Sequence, residues 1–430
     1  MAAVSLAVFA ACSEQTPTSI GNDVLPGEPI TLSIEIPWEE FGSDLVVLGG
    51  YGAPSDIGTG VVANAFAGTL NARTLVRFGA YPQSASVVDT EGTTVTDTDL
   101  TIIGGRVVAT INRRASVFAG PLSLTLGATQ DTWDLASADW EHAVDTIGAQ
   151  LPWTELGGGP VTPLDTATWD PSAAGDTISF VLDSAEVADW SDASDPSRGG
   201  RLDLVTEGHR LAISSVQLRL DARPSVNPDT IVSLNVAERE ITFIYDPEPE
   251  VPTDGIRVGG APAWRTVFDL QAPTELTGPP ELCSAVGCPV TLEPGQISYA
   301  ALVLRSRPTE AAFQPRDSLG LDVREVLSRD ALPKAPLGSP IFGSQGLRYA
   351  ASLFGDDGGT AVEIPITPLV RNLVEGVDPE TQIPFPNTIA LLSAFEPRSI
   401  AYGSFYGPGS GANAPVLKLI VTVGASVELP

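Results

Sequence analysis

The sequence predicts an all-β fold, arranged as two tandem β-sandwich domains with a few short helices in the connections. Three observations lead there. Short segments that alternate apolar and polar residues recur along the chain, among them "ITLSIEI" (30–36), "RVVATI" (106–111), "LSLTL" (122–126), "TISFVL" (177–182) and "VQLRL" (216–220), as half-buried sandwich strands do. Glycine (42) and proline (37) are frequent enough in 430 residues to break the chain into many short elements rather than long helices. Finally, the strand signals repeat in order at an offset close to one domain length.

The repeat is visible segment by segment. "ITLSIEI" at 30 answers to "IVSLNVA" at 231, "RTLVRF" from Arg73 to "RTVFDL" from Arg265, and "LSLTL" at 122 to "LGLDV" at 319. "DTISFVLDSAEVADW" answers to "VEIPITPLVRNLV", "RGGRLDLVTEGHR" to "PNTIALLSAFEPR", and the closing "VQLRL" to "VLKLI" at 416–420. The boundary then falls near "ARPSVNPDT" (222–230), giving domains at 29–224 and 225–430. Four helical patterns are expected: 137–148, 183–192 capped by Asp183, 322–328, and 367–376 capped by Thr367 with Pro368 at the first helical position.

Composition narrows the function. The net charge is −30, and Lys334 and Lys418 are the only lysines. So acidic a chain repels phosphate backbones and anionic lipid surfaces, which makes nucleic acid a poor partner. Hydrophobic residues at 43% against charged residues at 18% supply large cores.

Residues 2–11 are small or apolar, too short a run to span a bilayer, which needs ~20 residues, yet suitable as a signal-peptide core. The run ends Phe9-Ala10-Ala11-Cys12 and gives way to the polar "SEQTPTSIGNDVLPGEP". This resembles the lipobox of bacterial lipoproteins, in which the cysteine is acylated and becomes the new N-terminus. The resemblance implies a signal peptide at 1–11, an acylated Cys12 held in a lipid bilayer, and a tether at 12–28. Phe9 stands where leucine is usual, and no Lys or Arg precedes the apolar run. The remaining cysteines, Cys283 and Cys288, are separated by four residues, close enough to close a small turn as a disulfide. The histidines, His142 and His209, lie far from both in sequence, so no zinc site is expected.

Two wider resemblances follow from the repeat. In the second half Arg265, Ile366-Thr367, Asn387, Leu391, Leu392, Pro415 and Leu417, and in the first Arg73, Leu182-Asp183, Trp190, Gly199, Leu202, Leu204, Val216 and Leu218, fall as in DNRLRE-type domains of bacterial and archaeal surface proteins. Val374 stands where that family usually carries tryptophan. The resemblance implies jelly-roll sandwiches related to carbohydrate-binding modules. "SIGNDVLP" (19–26) and "LVVLGGYGAPSDIGTGVVANAF" (45–66) resemble an uncharacterised family of surface lipoproteins.

No catalytic constellation stands out. Neither histidine accompanies a nucleophile elbow, and "LGGGP" (156–160) and "FGDDGGT" (354–360) lack the lysine and helix of a phosphate cradle. Structural calcium could suit 189–200 or Asp356 and Asp357, though without EF-hand spacing; no other cofactor is expected. The aromatic residues are the best clue to a ligand. Trp133, Trp140, Trp153 and Trp169 crowd one acidic segment, and Tyr402, Phe405 and Tyr406 lie in "SIAYGSFYGPGSG". Exposed together, they would stack on sugar rings; packed inward, they would brace the sandwich. The expectation is a non-enzymatic, lipid-anchored protein of the outer membrane or cell surface that binds polysaccharide or an envelope protein. A glycan-active hydrolase or lyase on the same scaffold, and a purely structural envelope component, are the alternatives.

Overall fold

In a computed structural model of the chain, residues 30–423 are described, apart from 174, 193, 196, 237, 279, 281–282 and 284–286. The signal segment 1–11, Cys12 and the tether 12–28 lie outside the described residues. The fold is all-β and built on two large antiparallel sheets. One runs, neighbour to neighbour, through Val161–Trp169, Leu122–Thr129, Gly200–Leu204, Leu70–Phe78, Gly60–Phe66, His209–Pro224, Leu100–Ile111 and Thr177–Leu182. The other runs from Ile30–Pro37 through Val416–Val423, Ile297–Arg307, Tyr402–Tyr406, Gly255–Gly259, Ala263–Leu270, Thr388–Ser393 and Leu319–Glu325 to Leu347–Tyr349. Each curls round its own core. Phe180, Leu218, Leu122 and Trp190 are among the residues filling the first; Phe268, Leu302, Phe405 and Leu417 are among those filling the second.

Sheet membership does not follow the expected division into 29–224 and 225–430. Strand Ile30–Pro37 pairs with Val416–Val423, and Gly42–Tyr51 pairs with Ala263–Leu270, so both opening strands belong to the second sheet. Strand Val232–Val236 pairs with His209–Pro224, and Glu238–Asp246 with Leu70–Phe78, so the strands that open the second half belong to the first sheet. The two exchanges are equivalent: in each half the opening pair of strands crosses to the other half's closing strand and to its arginine-bearing strand. The side chains follow. Ile36, Trp38 and Phe41 are buried in the second core, where Trp38 packs 5.2 Å from Phe268; Leu234, Val236 and Ile241 are buried in the first.

The arginines of the two equivalent strands do equivalent work. Arg73 pairs with Asp203 at 3.2 Å and lies 5.0 Å from the ring centroid of Trp140. Arg265 pairs with Glu396 at 2.7 Å and lies 3.7 Å from that of Tyr51. Each guanidinium covers an aromatic face while it meets a carboxylate, Asp203 on the neighbouring strand Gly200–Leu204 in one half and Glu396 on a loop in the other. Burial nevertheless holds the Glu396 carboxyl above its usual range, against the pull of Arg265.

Two of the four expected helices form. Ser184–Asp189 begins at Asp183, whose side chain accepts from the Ala185 and Glu186 amides while Glu186 reaches back to the Asp183 amide. Thr367–Glu375 also forms, but the cap differs: Ile366 precedes the helix and Thr367 is its first residue. The Thr367 hydroxyl instead lies 2.9 Å from the Ala300 amide, tying the helix to the sheet. Residues 322–328 continue strand Leu319–Glu325 rather than coil. The segment 137–148 is no helix either: His142–Thr146 and Ala149–Pro152 form a hairpin turned by Ile147 and Gly148, the glycine at φ +90°. Among the described residues no helix is long and apolar enough to cross a membrane.

Candidate functional site

The aromatic residues singled out by sequence face inward. Trp133, Trp153 and Trp169 are buried, and Trp140 is half-buried. Trp133 lies under the Arg77 guanidinium, 4.0 Å from ring centroid to Cζ, and Arg77 also donates to the Trp133 carbonyl. The Trp153 indole N–H donates to the Asp139 carbonyl at 2.8 Å. Trp169 meets Phe118 edge to face at 5.0 Å, with Arg113 over its ring. Trp133 and Trp153 share a cluster with Leu75 and Ile244, on two paired strands of the first sheet. An indole carries 150–250 Å² of surface, and here it covers that sheet instead of meeting a sugar ring. The segment is a brace.

Tyr402, Phe405 and Tyr406 lie on a strand, not on a loop. Tyr402 stacks on Phe313 with centroids 5.5 Å apart, and Phe405 meets Phe354 inside the second core; both are buried, while Tyr406 is half-buried. Cys283 and Cys288 sit at bonding distance with Cα atoms 4.9 Å apart, as a disulfide pair requires. His209 Nδ1 faces the Glu207 carbonyl. His142 lies 3.3 Å from Asp139, and with Asp145 these three bring ligand atoms within 4.8 Å of one another. Asp139 already accepts the Glu141 and His142 amides, and Asp145 accepts from Gln150, so turn geometry accounts for the grouping. In 189–200, Asp192 and Asp195 each accept the hydroxyl and amide of the serine two residues on, which holds both carboxyls below their usual range.

The surface with chemistry to spare lies where the two sheets meet. Their contact is itself a core: Phe66, Leu70, Phe243 and Tyr245 from the first sheet pack with Tyr402 from the second and with Phe313 of the turn Ala311–Phe313. Beside it opens a cleft of about 430 Å³. Ile57, Val61, Ile213, Phe243, Leu319 and Ile400 give it apolar walls. Part of one wall is bare backbone, because Gly259 and Gly260 take φ of +90° and +97° at the turn leaving strand Gly255–Gly259. Asn112, Ser214 and Ser399 place polar groups at the exposed rim.

Four arginines line this cleft: Arg210 from the first sheet, Arg114 from a nearby loop, and Arg316 and Arg398 from loops of the second half. Arg210 is 4% exposed, and the other three are exposed at the mouth. The Arg210 guanidinium lies 5.2 Å from the Phe66 ring centroid and donates to the Ala312 carbonyl at 2.6 Å, linking the halves. Among the described residues none of the four has a carboxylate within ion-pair distance. Of the other arginines buried to a similar degree, Arg201 and Arg257 have one, Asp203 at 3.0 Å and Glu310 at 3.9 Å, while Arg198 has none among the described residues and donates to the Trp190 carbonyl. Burial, and secondarily the charge of Arg316, push Arg210 down to about 10, so it stays cationic at neutral pH. Asp317 is the one carboxylate residue among the described residues of the lining.

Sequence reading missed this site because its arginines are scattered over some 280 positions and share no motif. Nothing in the sequence singles them out, because which arginines lack a carboxylate partner is settled only on folding. Comparison with protein-family models matches none to this chain, and a search of curated proteins finds no relative.

Proposed function

We propose that this chain is a non-enzymatic cell-envelope protein, anchored by acylated Cys12 in the outer membrane or at the cell surface, that binds a glycan in the cleft between its two sheets. The observation that carries the reading is the cleft's composition: apolar walls, a rim of hydroxyl and amide groups, and bare backbone, within the size range of small-ligand sites, roughly 300–1,000 Å³. Sugars present apolar C–H faces and hydroxyl edges together, and such a surface meets both. Hydrolysis of a glycosidic bond ordinarily needs two carboxylates flanking it, and the described lining supplies one, Asp317. Binding is therefore the better reading of this surface.

The anchor rests on the small residues before Cys12 and the polar tether after it. An acylated cysteine carrying two or more chains gives stable attachment where one chain would be marginal. Screening the full chain on a glycan array, with the mature N-terminus read by mass spectrometry, tests both parts. A bound glycan whose affinity falls on substitution of cleft residues, and a lipid mass on Cys12, are expected. Silence across the array would remove the binding role, and an unmodified Cys12 thiol would remove the anchor.

A further inference from the structure

The cleft's charge goes beyond what a neutral sugar requires. Arg210 is almost wholly buried with no carboxylate partner, and three more guanidiniums gather at the mouth above it. A buried cation without a counter-ion is costly, and like charges around it add to the cost. The whole chain carries −30, so anionic side chains were abundant, yet among the described residues none lies within ion-pair distance of any of these four arginines. We propose that the cleft is built for an acidic saccharide, one carrying at least two carboxylate, sulfate or phosphate groups, with Arg210 meeting one group at the floor and Arg114, Arg316 and Arg398 meeting the others at the mouth. This rests on the reading of the cleft as a glycan site.

Guanidinium is the side chain suited to these groups, since its planar fork donates two parallel N–H bonds to an oxyanion. The cavity is larger than a bare inorganic anion needs, and the six apolar residues of its walls have no use for one. An acidic peptide is the other polyanion to weigh. Extended peptides bind by adding to a free strand edge. Of the strands that line the cleft, Gly60–Phe66, His209–Pro224, Gly255–Gly259, Leu319–Glu325 and Thr388–Ser393 are each paired on both sides, while Glu238–Asp246, paired with Leu70–Phe78 alone, brings only the buried Phe243 to the lining. The acidic remainder of the surface repels a polyanion at long range, but at physiological salt that field is screened beyond about 8 Å. Contacts inside the cleft are screened far less, so the local attraction decides.

Titration calorimetry on the full chain tests this with five probes: trigalacturonate, a sulfated heparin tetrasaccharide, neutral maltotetraose, hexaglutamate and inorganic phosphate. At least one acidic saccharide should bind ten-fold or more tighter than maltotetraose. The exposed double variant Arg316→Glu, Arg398→Glu should weaken it at least ten-fold with an unchanged circular dichroism spectrum. Arg210→Met should do the same, and if that variant fails to fold the double variant still decides. Maltotetraose binding as tightly, indifferent to charge reversal, would overturn the acidic ligand while leaving the glycan site standing. Phosphate binding as tightly as the saccharides would reduce the site to one for an inorganic ion. Hexaglutamate binding with every saccharide silent would transfer the site to an acidic peptide, and silence from all five would remove this inference and the glycan site together.

Discussion

Ile36 lies directly opposite Leu417 across an antiparallel strand pair, so one of the first described side chains closes against one of the last. Both are buried in the second core. The other half repeats the arrangement with Leu234 opposite Leu220. Each sheet is completed by strands that belong, in chain order, to the other half. The cleft sits beside the seam this interlock produces, so the stability of the seam and the shape of the cleft are linked.

The interlock predicts long-range effects of N-terminal substitutions. Trp38→Ala removes a ring packed on Phe41 and Phe268. It should cost about 3–5 kcal/mol, read by urea denaturation. Amide exchange should accelerate in Val416–Val423 and Ala263–Leu270, far along the chain. Acceleration confined to residues near 38 would contradict the exchange of strands.

Trp133 and Trp153 separate a brace from a binding platform. Trp133→Ala should lower stability by about 3–5 kcal/mol, since the ring packs with Leu75 and Ile244 on the paired strands Leu70–Phe78 and Glu238–Asp246. Glycan affinity, measured where the variant remains folded, should change less than two-fold. A stable variant with lost affinity would return the tryptophans to the binding site.

The capping box is a local test of the first sheet's flank. Asp183→Ala frees the Ala185 and Glu186 amides and should cost about 1 kcal/mol. Asp183→Ser should recover most of it. Equal loss in both variants would mean the side chain does not act as a cap.

Glu363 carries a pH dependence. Its carboxylate accepts from Lys418 at 2.7 Å and from the Tyr299 hydroxyl at 3.1 Å, and the Lys418 bond is the main reason its carboxyl titrates below the usual range. A depressed folded value stabilises above the unfolded one and is lost as the pH falls through the folded one. The wild type should therefore lose more stability between pH 6 and about pH 3 than Lys418→Met does. Both groups are partly exposed, so the difference should stay below about 1 kcal/mol. A larger loss in Lys418→Met would reverse the assignment.

Much of the fold is legible in the sequence because strand alternation is a local signal. Segments such as "TISFVL" and "VQLRL" bury every second side chain where alternation places it. Residues 137–148 misled because Trp140, Ala143, Val144 and Ile147 fall at helical spacing, whereas Asp134, Asp139 and Gly148 turn the chain tightly. The correspondence of residues 30–36 with 231–237 is readable, but not which sheet each joins. Two strands of like pattern fit either closing strand, and only three-dimensional connection chooses. The cleft was illegible for the same reason, since Arg114, Arg210, Arg316 and Arg398 become neighbours through the seam alone.

Hydrogen exchange of the full chain with and without the tightest-binding acidic saccharide tests the central claim, that the seam cleft is the binding site. Protection should rise in peptides spanning 57–61, 112–115, 210–214, 315–319 and 398–401, and in no other cluster of comparable size. Protection confined to the tryptophan segment 131–160, or absent while binding persists, would contradict it.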